Sequence, residues 1–212
     1  MVKGIVVAVV IVSSMLCLPS YANANFLADP GFESGSFNNG WGVWNESNAT
    51  INNWGRSGNY SAAGWSATAG YQDVVISDPS AALKVGGYIY DDVSGNESLR
   101  DGAYASLRVE FKRSDDSIVG TWTTGNLTGS DLADNAWNEK IGIVTPLSYG
   151  SDIAKATFVW EVNNSGSGNG RGIFDDLTIE SAPVPEPASL LLLGSGLFGL
   201  GFLNRFKNKR KG

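Results

Sequence analysis

A chain of 212 residues with a formal charge of −6 carries 27 glycines, seven tryptophans, seven tyrosines and nine phenylalanines, but no histidine and a single cysteine. The missing histidine excludes a Ser-His-Asp triad and a histidine-ligated zinc site. The one cysteine, Cys17, lies in an N-terminal apolar run, so the remainder has no disulfide, thiol nucleophile or soft metal ligand, and only carboxylate chemistry is open to an enzyme.

The chain opens with Lys3, an apolar run from Ile5 to Leu18, then Pro19, Ser20 and Ala22-Asn23-Ala24. A basic start, a short apolar stretch and a small-x-small site are the parts of a secretory signal peptide. The run of 14 residues is shorter than the roughly 20 of a spanning helix. Residues 1–24 therefore read as a signal helix, carried by the Sec translocon and removed by signal peptidase after Ala24. A retained anchor is the alternative. A lipoprotein reading fails at Leu16, which stands before Cys17 where a small residue is required.

Residues 25–183 are one domain's worth of chain, long enough to bury a core. They hold nine basic and twenty acidic residues, a net charge of −11. That sign repels nucleic acid and anionic lipid, and suits cation binding or simple solubility. Long amphipathic helical patterns are missing, and short apolar runs alternate with Gly, Asn, Ser and Asp. Asn25 to Phe37 reads as a short strand running into a turn. Strands are expected at Trp41–Trp44, Thr50–Trp54, Tyr60–Trp65 and Tyr71–Ile76. Two further strands alternate strictly. Leu83, Val85, Gly87 and Ile89 share one face, with Lys84, Gly86, Tyr88 and Tyr90 on the other. Ala105, Leu107, Val109 and Phe111 then oppose Tyr104, Ser106, Arg108, Glu110 and Lys112. Ser114-Asp115-Asp116 is a hairpin-type turn into Ile118–Thr123, and after a polar loop strands resume at Glu139–Val144, Ile153–Val162 and Ile173–Glu180. Roughly ten short strands separated by turns predict an all-β domain, a jelly-roll β-sandwich of two antiparallel sheets.

The chain closes with Val184-Pro185-Glu186-Pro187, an apolar glycine-studded stretch from Ala188, and a basic tail from Arg205. At 1.5 Å per residue about 17 residues span roughly 25 Å, enough for a single transmembrane helix with some local thinning. The Lys/Arg cluster sets the tail on the cytoplasmic side.

Pro185, Glu186, Pro187, the apolar helix and Arg205 together resemble the PEP-CTERM sorting signal, here residues 184–212. The resemblance implies an exosortase-like membrane enzyme as partner. It implies transient anchoring in the inner membrane, then transfer to the cell surface or release, in a setting of exopolysaccharide production. It specifies an address and leaves the work of residues 25–183 open.

A second resemblance covers most of that domain. Asp29-Pro30-Gly31-Phe32-Glu33-Ser34-Gly35, Gly40-Trp41, Ser57-Gly58-Asn59-Tyr60-Ser61 and the closing Gly172-Ile173-Phe174-Asp175-Asp176-Leu177-Thr178-Ile179 resemble galactose-binding-like, carbohydrate-binding-module jelly rolls. In that family an early Glu and a late Asp join backbone carbonyls around a structural calcium. The resemblance therefore implies Ca²⁺ as cofactor, held by Glu33 and Asp175 with carbonyls near Ser57–Ser61. Asp176 stays open, because strand parity decides which carboxylate points at the site. The plain alternative is three surface or turn carboxylates.

Tyr88, Tyr90, Tyr104, Arg108 and Glu110 share the non-core faces of the two strongest strands. If those strands neighbour in one sheet, they make an aromatic and polar platform of the kind that binds a glycan. The high β-propensity of Tyr is the simpler account of the same residues. Trp160 shares parity with Phe158 and is expected in the core; Trp44 and Trp137 are the tryptophans expected to be exposed. Asp91-Asp92, Asp115-Asp116 and Asp131/Asp134 would serve a glycosidase only if two carboxylates flanked one cleft, and paired Asp in turns has ordinary backbone reasons. The leading expectation is a non-catalytic module for extracellular polysaccharide. A displayed matrix protein without a discrete site comes second, and a carboxylate-based glycoside hydrolase a distant third.

Overall fold

A computed structural model describes residues 24–94, 97–100, 102–164 and 170–182. The signal helix, the apolar helix from Ala188, and Pro185, Glu186, Pro187 and Arg205 lie outside the described residues. The described residues form ten strands: β1 Gly42–Trp44, β2 Ala49–Asn52, β3 Ser61–Trp65, β4 Thr68–Val75, β5 Leu83–Asp91, β6 Ala103–Lys112, β7 Ile118–Thr123, β8 Trp137–Val144, β9 Lys155–Asn164 and β10 Arg171–Ser181. They build two five-stranded sheets, a front sheet ordered β1-β4-β9-β6-β7 and a back sheet ordered β2-β3-β10-β5-β8. Every pairing between these strands is antiparallel. The expected all-β sandwich is what the chain adopts.

Strand alternation fills the space between the sheets. Ala105, Leu107, Val109 and Phe111 of β6, Ala156, Phe158, Trp160 and Val162 of β9, and Val85 and Ile89 of β5 are all fully buried. The expected inward faces of β5 and β6 are the observed ones, and Trp160 lies in the core. Its ring stands 5.1 Å from that of Phe174 across the sandwich. Gly70 makes this possible, because a Cβ there would run into the indole.

On β10 the pairing with β5 shifts register between Asp175 and Thr178. This β-bulge, with Asp176 at φ 47°, moves the inward face by one residue. Phe174 before it and Leu177 and Ile179 after it all reach the core, whereas strict alternation from Phe174 would turn Leu177 and Ile179 outward.

Residues 25–37 differ from expectation. Only Asn25 makes a bridge, to Glu180, and turns follow in place of a strand. The Asn25 side chain accounts for this by taking over the pairing with β10: its Nδ2 donates to the Leu177 carbonyl (2.7 Å) and its Oδ1 accepts from the Ile179 amide (3.1 Å). Phe32, fully buried at φ 59°, then plugs the sandwich beside Trp41.

Replacing Trp160 by Ala should cost about 3–5 kcal/mol of unfolding free energy in urea titration. Gly70→Ala should also destabilise, through the clash it creates; a neutral outcome for both would contradict this account of the core.

Candidate functional sites on the two outer faces

The strands that carry the five predicted ligand residues do not neighbour in one sheet. β5 belongs to the back sheet and β6 to the front, because the chain crosses the sandwich between them instead of turning in a hairpin. The single platform therefore does not form. Tyr88 and Tyr90 face outward from the back sheet, and Tyr104, Arg108 and Glu110 from the front, on opposite sides of the domain.

On the back sheet both tyrosines are occupied. The Arg56 guanidinium lies 3.6 Å from the centre of the Tyr88 ring, and the Tyr88 hydroxyl donates to Glu139 at 2.7 Å. That bond, with burial, holds the phenol above its ordinary pKa. Tyr90 packs with Trp54 and Trp137 at 5.2 and 5.3 Å between ring centres. Tyr90 and Trp137 share a row with Ile173, which faces outward yet is fully buried. The three rings form a small second core over it. Trp137, expected to be exposed, is part of that cluster.

The front sheet offers open rings. Trp44 is 60% exposed and Tyr71 is 46% exposed. They lie on neighbouring strands, Tyr71 opposite Gly42 and Trp44 opposite Ala69. A Cβ at residue 42 would come within 2.7 Å of the Tyr71 ring edge and hydroxyl, so the glycine is what lets this ring lie across the edge strand. Beyond them a groove of about 370 Å³ crosses the sheet, with Val159, Thr157, Arg108, Glu110 and Glu161 along it. Arg108 donates to Glu110 at 3.0 Å and to Glu161, and Glu110 also pairs with Lys112 at 3.0 Å. Burial alone would lower the Arg108 pKa, but the two glutamates outweigh it and raise it. Burial would raise Glu110, but Lys112 and Arg108 bring it below the ordinary carboxylate value. Tyr104 sits further along β6, opposite Asn163.

The predicted metal residues converge on one loop, Gly55–Tyr60. Glu33 accepts the amides of Asn59 (2.9 Å) and Tyr60 (3.1 Å). Asp175 is wholly buried, its Oδ2 accepting the amides of Arg56 (2.6 Å) and Ser57 (3.3 Å) and its Oδ1 that of Asp176 (2.7 Å). Asp176, on the bulge, accepts from the Ser57 hydroxyl (2.6 Å) and pairs with Arg56 (2.7 Å). Both aspartates thus reach the loop, Asp175 buried beneath it and Asp176 at its margin.

Among the described residues no three carboxylates close around one point, so a cation here needs backbone oxygens. They are at hand. The place a Cβ would take on Gly55 lies 2.8 Å from Asp175 Oδ2 and 2.9 Å from the Ser57 carbonyl, and nearer still to the Tyr60 carbonyl. These oxygens close tightly on the Gly55 backbone, so no side chain fits there, and they are hard donors of the type calcium takes at about 2.3–2.6 Å.

Burial raises Asp175 from 3.8 to about 6, with the Asp176 charge adding to it against the amide bonds that favour the carboxylate. A raised folded-state value means that this group's stabilising contribution is complete below the unfolded value of 3.8 and is lost as pH rises through about 6. A carbon-13 carboxyl titration in chelating buffer should give Asp175 a midpoint near 6, and a midpoint at or below 3.8 would mean that the amide bonds outweigh burial and the Asp176 charge.

Residues 183–205 match the PEP-CTERM protein-sorting motif. The chain thus carries a C-terminal sorting motif of the kind that implies export, and its described domain is a β-sandwich whose solved neighbours include carbohydrate-binding modules. The CBM22-1 xylan-binding domain of Paenibacillus barcinonensis Xyn10C aligns with a TM-score of 0.51 at 13% identity, over 79% of this chain and 100% of that one. The enzymatically active domain of tailspike protein 4 from bacteriophage CBA120 aligns at 0.56 and 10% identity, over 74% of this chain; the chain spans only 21% of its length. The Stig cyclase Fisc from Fischerella sp. TAU aligns at 0.52 and 11% identity, over 77% of this chain and 100% of that one. Such identities establish the fold, which serves both binding modules and enzymes. No curated protein matches the chain.

Proposed function

We propose that the domain is a non-catalytic binding module for extracellular polysaccharide, and that the glycan lies along the front groove. The observation that carries this reading is the exposed pair Trp44 and Tyr71 above a floor of paired charges. Flat rings stack on the apolar faces of sugars, and the outer edges of the Arg108–Glu110–Glu161 cluster offer donors and acceptors to hydroxyls. Solved neighbours of the same fold include a family 16 carbohydrate-binding module and a module bound to β-1,4-galactotriose, which supports the assignment by analogy.

A glycosidase is disfavoured by the state of the two glutamates at the middle of the groove. Hydrolysis needs one carboxyl protonated at working pH. Glu110 is instead held below its ordinary value, and both it and Glu161 are tied to Arg108. In this reading the sorting motif delivers the module through an exosortase-type enzyme to the cell surface or beyond, after transient anchoring in the inner membrane. Ca²⁺ bound by Asp175, Glu33 and the loop carbonyls acts as a structural staple for Gly55–Tyr60.

The test is a binding series on the mature chain, kept in a detergent without sugar headgroups, against a panel of polysaccharides. Trp44→Ala and Tyr71→Ala should each weaken binding about tenfold or more, while Tyr88→Ala leaves it unchanged. Full binding by both groove variants would overturn the assignment. Loss in Tyr88→Ala alone would move the site to the back sheet. Chelation should lower the melting temperature of the parent chain and leave that of Asp175→Ala unmoved; an equal response of the two would remove Asp175 from the cation site.

A further inference from the structure

Resting on the reading of the front groove as a polysaccharide site, we infer that the chain it takes is uncharged. The groove's two cationic side chains are already matched from within. Arg108 is bracketed by Glu110 and Glu161, and Lys112 is paired with Glu110 at 3.0 Å. These are sunken charges: the side chains of Arg108, Glu110 and Lys112 are 31%, 15% and 16% exposed. Lys155, in the row beyond, pairs with Asp116 and approaches Asp73. The most open charged group of the lining is negative, Asp73, with its side chain 54% exposed.

A uronate or sulfate would therefore meet an Arg108 whose charge is already offset by two glutamates, and would bring its own negative charge up against Glu110 and Glu161. It would do so inside a domain whose net charge is −11, a field that repels polyanions at a distance. An uncharged chain meets neither obstacle. Its hydroxyls both donate and accept, which suits a floor that offers guanidinium edges and carboxylate oxygens side by side. The lining runs from Trp44 on β1 across β4 and β9 to Arg108 on β6. Three interstrand steps are about 14 Å, a track for an internal stretch of chain lying across the strands.

The test uses pairs of polysaccharides that differ in charge alone, polygalacturonate and its methyl ester among them, alongside neutral xylans, galactans and glucans. The mature chain should bind at least one neutral polymer, with affinity changing less than about threefold between about 50 and about 500 mM NaCl. Acidic forms should bind about tenfold more weakly than their neutral counterparts. Glu161→Gln, which releases one side of Arg108, should narrow that gap. Tighter binding of the acidic form, weakened by salt and lost in Trp44→Ala, would overturn this inference while leaving the groove in place. Binding untouched by Trp44→Ala, or none to any polymer, would overturn both.

Discussion

The alternation of β9 between its two flanking strands is the constraint on which the molecule turns. Phe158, Trp160 and Val162 point inward and are fully buried. Thr157, Val159 and Glu161 point outward into the front groove. One strand therefore supplies the centre of the core and the middle of the candidate site, and the period of two links them rigidly. Anything that slips β9 by one residue would put Trp160 in solvent and Glu161 in the core. Gly70 on β4 is part of the same constraint, since it leaves the space the indole occupies.

The clearest strands were legible because apolar and polar residues alternate along most of β5 and β6, and their observed faces are the expected ones. Sheet membership was not legible. Alternation fixes which way a side chain points, and carries nothing about which strand lies beside it, so the crossing between β5 and β6 split the expected platform in two. On β4 the pattern misleads outright. Gln72 is buried and Tyr71 exposed, because the Gln72 amide closes a pair of bonds with the Ala28 backbone (2.5 and 3.1 Å) and so satisfies itself inside. Tyr71, the second ring of the groove, was missed for that reason. The back-sheet cluster of Trp54, Tyr90 and Trp137 was hidden in another way, since its members come from a loop and two strands far apart in sequence.

That Glu33, Asp175 and Asp176 meet at the loop Gly55–Tyr60 was expected only through the resemblance to calcium-binding jelly rolls. The structure shows what holds the loop in place. Its amides are turned toward Asp175 and Glu33, and Asp175 is a buried carboxylate facing the neighbouring charge of Asp176. This segment also brings Trp54 and Arg56 onto Tyr90 and Tyr88, so the two back-sheet tyrosines are both engaged within the domain. On the front sheet, by contrast, the rings of Trp44 and Tyr71 stand exposed beside the groove.

The central claim, that the front groove is the ligand site, is tested most directly by chemical-shift mapping of the mature chain with a bound oligosaccharide. The account predicts shifts concentrated at Trp44, Tyr71, Arg108 and Glu161, with the back sheet silent. Shifts concentrated at Tyr88, Tyr90 and Glu139, or a spectrum unmoved by every oligosaccharide, would contradict it.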